Sequence, residues 1–174
     1  MSTAQECSLE DIEICAREGR IPRAAGPYRV MIGDALMSFR PVTIAESVSS
    51  GRSLLAQAAL QPAEEYALFA VMADGLLEEI RLEETVDLRA GVERFLAFKS
   101  DRIFRFILDG REYHWGGDFI SGATLMSLAK LDAESHALWL KGAGGSERAV
   151  GPKQLVDLGQ PGVETFVTRR LAAT

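Results

Sequence analysis

Side-chain chemistry in this chain would have to come first from its few nucleophiles and metal ligands. The 174 residues include two cysteines, Cys7 and Cys15, and two histidines, His114 and His136. A thiolate nucleophile needs a base beside it, and a zinc site needs Cys or His ligands paired at short spacing. Both cysteines stand near the N-terminus, the histidines are far from them, and no Cys or His pair accompanies either. Free thiols and no bound metal are the expectation. The glycine-rich "GAGGSE" at residues 142–147 lacks the Lys followed by Ser or Thr of a phosphate-cradling loop, so it reads as a hairpin turn. With no acid/base pair, nucleophile constellation or metal cluster in view, the chain is expected to be no enzyme and to hold no cofactor.

Composition narrows the remaining classes. A content of 47% hydrophobic and 25% charged residues suits a soluble globular protein, and a net charge of −6 argues against nucleic acid or an anionic membrane as the main partner. No apolar run approaches the roughly 18 residues of a membrane span. The opening "MSTAQECSLEDIEIC" has neither the basic segment nor the apolar core of a signal peptide, which points to a cytoplasmic location.

The elements that would carry function are laid out by an internal repeat. "VDLRAGVERF" at 86–95 returns as "VDLGQPGVETF" at 156–166, and "SSGRSLLAQAAL" at 49–60 aligns with "ISGATLMSLAKL" at 120–131. "YRVMIGDALMSF" at 28–39 lies over "FRFILDGREYHW" at 104–115. Landmarks kept in one order describe a duplicated domain of about 70 residues, long enough to bury a core of its own. The division expected is a leader over 1–27, domains over 28–99 and 103–168, and a flexible tail over 169–174. The joint "KSDRI" at 99–103 is short enough to restrict relative motion.

Each copy opens with two β-type runs, joined at Gly33-Asp34 and at Asp109-Gly110, the latter a strong hairpin signal. Ser49 or Ser50, and then Ser121, cap a short helix that turns Leu54, Leu55 and Ala58, or Leu125, Leu128 and Ala129, toward a sheet. Further strand pairs flank Asp74-Gly75 and the 142–147 turn, and a last run, "ERFLAF" or "ETFVTRR", closes the unit. The order is ββαβββ. Pro41 fits an edge strand, since it has no N–H to donate. This is the β-grasp arrangement, one helix across a mixed sheet, and the fold class is α+β. Trp115 and Trp139 are expected in core or interdomain packing. The acidic pairs Glu64-Glu65, Glu78-Glu79 and Glu83-Glu84 read as solvated charge, with a recognition face as the other reading.

The order of elements, with "GRSLLAQAALQPAEEYALF", "RLEETVDL" and "GVERFLAF", resembles the bacterial multi-ubiquitin family of tandem ubiquitin-like domains, as does the leader "DIEICAREGRIPRAAGPYRV". The resemblance implies a protein modifier of ubiquitination-like antiphage operons, similar in architecture to the two-domain interferon-induced modifier of vertebrates. Its implied partners are a ubiquitin-type activating enzyme that spends ATP, a conjugating enzyme, a JAB-class metal-dependent peptidase, and target proteins. The working part would then be the tail: Arg169, Arg170, Leu171, Ala172, Ala173 and Thr174. Ala172 and Ala173 stand about where ubiquitin has its two glycines, and trimming of Thr174 would leave an Ala173 carboxylate for activation. Arg169 and Arg170 would dock acidic enzyme residues, or simply end the chain in solvent. The four lysines, Lys99, Lys130, Lys141 and Lys153, would limit self-conjugation, although base composition accounts for their scarcity equally well. The alternative is a tandem ubiquitin-like module that binds partners without being conjugated.

Overall fold

The structure, a computed structural model, describes residues 8–173; Cys7 and Thr174 lie outside them. Alternating apolar residues build the first hairpin. β2 (Tyr28–Gly33) points Tyr28, Val30 and Ile32 inward, and β3 (Phe39–Ile44) adds Val42 and Ile44, all buried. Pro41 sits opposite Met31 on β3, which pairs with β2 alone, so its missing N–H faces no partner strand. The order then runs β4 (Val48–Ser50), α2 (Gly51–Gln57), β5 (Tyr66–Met72), β6 (Leu77–Ile80), β7 (Thr85–Asp87) and β8 (Val92–Lys99). β8 lies parallel to β2 and antiparallel to β5, so the first and last strands of the unit are central neighbours. That is the β-grasp order. The short pair β4–β7 is an addition to the ββαβββ expectation, three residues per strand being too few to leave a periodic signal.

The second unit repeats the plan with β9 (Phe104–Leu108), β10 (Arg111–Trp115), β11 (Phe119–Ser121), α3 (Gly122–Leu128), β12 (His136–Lys141), β13 (Glu147–Val150), β14 (Leu155–Asp157) and β15 (Glu164–Arg170). Its sheet order is β10-β9-β15-β12-β13, with β11–β14 apart. Asp109 and Gly110 both take positive φ, +50° and +79°, as a two-residue turn between right-twisted strands requires.

The repeated Ser-Gly pair has a local physical reason. The Ser50 and Ser121 hydroxyls accept the amides of Ser53 and Thr124, capping α2 and α3. The two amides before each of these are taken by loop carbonyls that pass close by: Gly51 and Arg52 donate to Glu84 and Leu82, Gly122 and Ala123 to Gln154 and Pro152. A Cβ on Gly51 or Gly122 would run into the carbonyl oxygen of Arg81 or Gly151. The "VDL" phrase is equally local. Val86 and Leu88, or Val156 and Leu158, are buried, while the intervening Asp87 or Asp157 accepts the amide two residues on. The valine of "GVE" differs between copies: Val92 is buried and Val163 is 41% exposed.

The leader is structured against the first unit. β1 (Glu10–Asp11) pairs with Tyr28 and Arg29, the stretch of β2 that β8 does not reach. Asp11 caps α1 (Ile12–Glu18), and Gly19 ends it in the left-handed conformation. Ile12 and Cys15 are buried, Ile12 within the first core.

Between the units the packing is apolar. The face of the first sheet turned away from α2 presents Phe69, Val71, Leu96 and Phe98, all buried in one cluster with Phe106, Trp115, Met126 and Leu128 of the second unit. The Phe98 ring stands 4.7 Å from Trp115 in an edge arrangement, and a Cβ on Gly116 would lie 2.6 Å from Phe98. Polar contacts rim the seam: Lys130 Nζ donates to the Ala73 carbonyl at 2.9 Å and lies 3.5 Å from Glu93. Packing across this face, and not the short joint alone, holds the two units together.

Two substitutions test this account. Phe98→Ala removes a buried ring and is expected to lower stability by about 3–5 kcal/mol in urea titration of the whole chain; a loss under about 1 kcal/mol would mean the seam is open in solution. Gly122→Ala, which forces the α3 start away from the Gly151 carbonyl, is expected to cost about 1–3 kcal/mol in the same titration.

Candidate functional site

The chain end expected to carry function is more firmly held than a frayed tail. β15 runs through Arg170, with Arg169 and Arg170 paired opposite Ala137 and His136 of β12. The Leu171 amide then donates to the Ser135 carbonyl at 2.8 Å. Arg169 and Arg170 are therefore strand residues, whereas Leu171, Ala172 and Ala173 follow the strand and are exposed. Thr174 lies outside the described residues.

Arg169 is already partnered. Its guanidinium donates two hydrogen bonds to Glu147 of β13, at 2.6 and 2.7 Å, and lies over the Trp139 ring with its carbon 5.6 Å from the centroid. These bonds hold the Glu147 carboxyl below its ordinary range and raise Arg169 in turn. One residue earlier, Asp109 accepts both the Thr168 amide at 2.7 Å and the Thr168 hydroxyl at 2.6 Å. The sequence singled out Asp109 only as a turn residue, and it gave no sign of Glu147 or Ser135. A carboxylate at the first position of a hairpin turn beside the last strand is the one signal that pointed this way.

Trp139 is half-buried on the face of the second sheet turned away from α3, across from Val167. Ile107, Ala137 and Thr165 share that face, with Arg105, Lys141 and Arg169 among its charges. Trp115, in contrast, is fully buried at the seam. The two tryptophans thus divide: one packs the units together, the other lies on an open face.

The remaining chemistry-bearing groups do not converge. Ser135 stands between Asp132 and His136, its hydroxyl donating to the Asp132 carboxylate at 2.7 Å and lying 2.9 Å from His136 Nδ1. A nucleophilic triad instead requires the imidazole between the hydroxyl and the carboxylate. The Ser135 bond lowers Asp132 from its ordinary range. Cys15 is a buried free thiol whose Sγ donates to Glu10 at 3.2 Å; burial first, then that carboxylate, pushes it up to about 11, which suppresses the reactive thiolate. Glu10 itself is lowered, chiefly by its bond to Arg20. His114 lies beside Glu112 on an exposed strand. Among the described residues no group of three or more His, Cys, Asp or Glu side chains is arranged to hold a metal ion.

Between the units an open cleft of about 770 Å³ runs past Phe98, Asp101, Phe104 and Phe119. Two of its carboxylates are engaged locally, Asp34 with the Leu36 and Ser38 amides and Asp157 with the Gly159 amide. The acidic pairs of the first unit are likewise partly spent: Glu64 and Glu83 both bind Arg52, and Glu65 binds Lys99. Among the described residues no helix is long and apolar enough to cross a membrane.

Comparison with known proteins agrees with the duplication. The family model described as multiubiquitin matches residues 38–100 and again 104–170. A search of curated proteins gives no match.

The Glu147 shift carries a pH consequence. Because its carboxyl is lowered in the folded state, the ion pair with Arg169 is complete above the ordinary Glu value and is lost as pH falls through the lowered one. Carboxyl-carbon NMR should show Glu147 titrating below about 4.3, the unperturbed Glu value; Arg169→Ala should return it to that value.

Proposed function

Because the chain belongs to the multiubiquitin family, with both of its ubiquitin-like units matched, we propose that it is a protein modifier attached to targets through its C-terminal tail. The observation that carries this reading is the form of the tail. The last strand leads directly into exposed Leu171, Ala172 and Ala173, the latter two with small side chains. Conjugation needs such a segment, because a carboxylate must enter an active site, be adenylated by ATP with release of pyrophosphate, pass to an enzyme nucleophile with release of AMP, and then be delivered to an acceptor group on the target. Small side chains suit passage through narrow channels.

In this reading the partners are a ubiquitin-type activating enzyme, a conjugating enzyme, a JAB-class metal-dependent peptidase that removes Thr174, and the target proteins, in a bacterial antiphage setting. Ala173 is the activated residue. Among the described residues Arg170 has no carboxylate within ion-pair distance, so it is the better placed of the two arginines to dock an acidic enzyme surface, while Arg169 must first leave Glu147. The chain supplies no catalytic group of its own to these steps.

A second reading, a tandem binding module that is never conjugated, is favoured by the half-buried Trp139 on the open sheet face. Large aromatic side chains with a polar handle are the residues on which partner binding commonly centres.

Intact-mass measurement after incubation with ATP and the neighbouring peptidase, activating and conjugating enzymes separates the two. Loss of Thr174 followed by an enzyme-linked adduct, abolished by Ala173→Trp, is the outcome expected of a modifier. An unchanged mass, with the enzymes active on a cognate modifier, would leave the binding module.

A further inference from the structure

The end of β15 is fastened in two unequal parts. β15 pairs with β9 only through Glu164, Thr165 and Phe166, so the backbone beyond Phe166 is held in the sheet on the β12 side alone. Thr168 is pinned across the vacant side by both oxygens of Asp109. Past Thr168 the fastening changes in kind. Arg169 reaches over β12 to Glu147 on β13, the edge strand, resting on Trp139 as it does so, and the Leu171 amide makes the last backbone bond, to Ser135. The Arg169 side chain remains 51% exposed and Glu147 27%. This second part is an exposed ion pair, of the kind that exchanges partners at little cost.

The first unit shows that the arrangement is not a packing requirement of the fold. At the same register, Phe98 stands where Arg169 stands, opposite Ala67 as Arg169 is opposite Ala137, and Phe98 is buried under the second unit. Gly33 occupies the position of Asp109, next to the parallel pairing of the first and last strands. The pin and the fork therefore belong only to the copy that leads into the tail.

We propose that residues 169–171 form a releasable latch on the tail, closed by the Arg169–Glu147 fork and opened when an acidic side chain in an enzyme groove replaces Glu147 as the partner of Arg169. On release, residues 169–171 leave β12 and Thr168, held by Asp109, becomes the end of the strand. Closed, residues 172–173 extend about 7 Å past the last pairing; open, three more residues add about 10 Å of reach. Arg169 trades one carboxylate for another and keeps a two-pronged partner throughout, which is the property that distinguishes Arg from Lys at such a site. The proposal rests on the conjugation reading, since only a tail that must enter an active site gains from the added length.

The test uses the full chain and reads the Leu171 amide by hydrogen exchange, with the Leu138 and Leu140 amides as internal references. Glu147→Ala is expected to raise Leu171 exchange by about 1.4- to fivefold, the range set by an exposed ion pair, while the reference amides stay unchanged. The double variant Glu147→Arg with Arg169→Glu restores an ion pair of reversed polarity and is expected to return the rate toward wild type. Equal Leu171 exchange in wild type and Glu147→Ala, or a rise that the double variant leaves in place, would overturn the latch. Single-turnover activation by the activating enzyme is expected to be faster for Glu147→Ala than for wild type; an equal or slower rate would overturn the latch as a gate on the tail. Failure of the wild type to be activated at all would count against the conjugation reading, separately from the exchange rates that decide whether the latch exists.

Discussion

Burial of Phe69, Val71, Leu96 and Phe98 beneath Trp115 and Gly116 is the contact on which the rest of this molecule depends. An open β-sheet with four large apolar residues on one face cannot leave that face in water. The second unit supplies the cover, and Gly116 lets its backbone come close enough to meet Phe98. Once that face is closed, the first unit has no free sheet face of this kind to offer a partner. Whatever the molecule does by way of an open sheet face, it does with the second.

The same contact explains why two copies of one plan are not equivalent. At matching registers the outer faces read Phe69, Val71, Leu96 and Phe98 in the first unit, and Trp139, Lys141, Val167 and Arg169 in the second. The first set is apolar throughout and buried; the second keeps an apolar centre and places charge at its edge. The covering side differs as well. Where the second unit has Trp115 followed by two glycines, the first has Ile44 followed by Ala45 and Glu46. The first unit thus lacks the flat aromatic and the close backbone approach with which the second covers its neighbour's sheet. A duplicated gene segment has become an asymmetric body, one copy for packing and one facing outward.

Much of the fold was legible because its signals are local. Serine at 50 and 121 caps a helix by its own hydroxyl, Asp109-Gly110 supplies the positive φ of a tight turn, and Pro41 marks an edge by the donor it lacks. The helix faces of Leu54, Leu55 and Leu125 follow from a 3.6-residue period. The short strands β4, β7, β11 and β14 were not legible, since three residues carry no period, and their existence depends on two loops meeting. The tail reads as basic and then small in the sequence, but that Arg169 is already paired is not legible there. Its partner, Glu147, lies 22 residues earlier on another strand, and no spacing rule connects them.

What the sequence by itself determined is therefore the identity of each element and the duplication that orders them, because caps, turns and periodicity are properties of neighbours along the chain. The tertiary structure alone decided which sheet face is buried, which tryptophan is a seam and which a surface, and how far the last strand is fastened before the tail begins. Those outcomes depend on side chains that meet only after the sheet has closed, when Asp109 reaches Thr168 and Glu147 reaches Arg169 across strands remote in sequence.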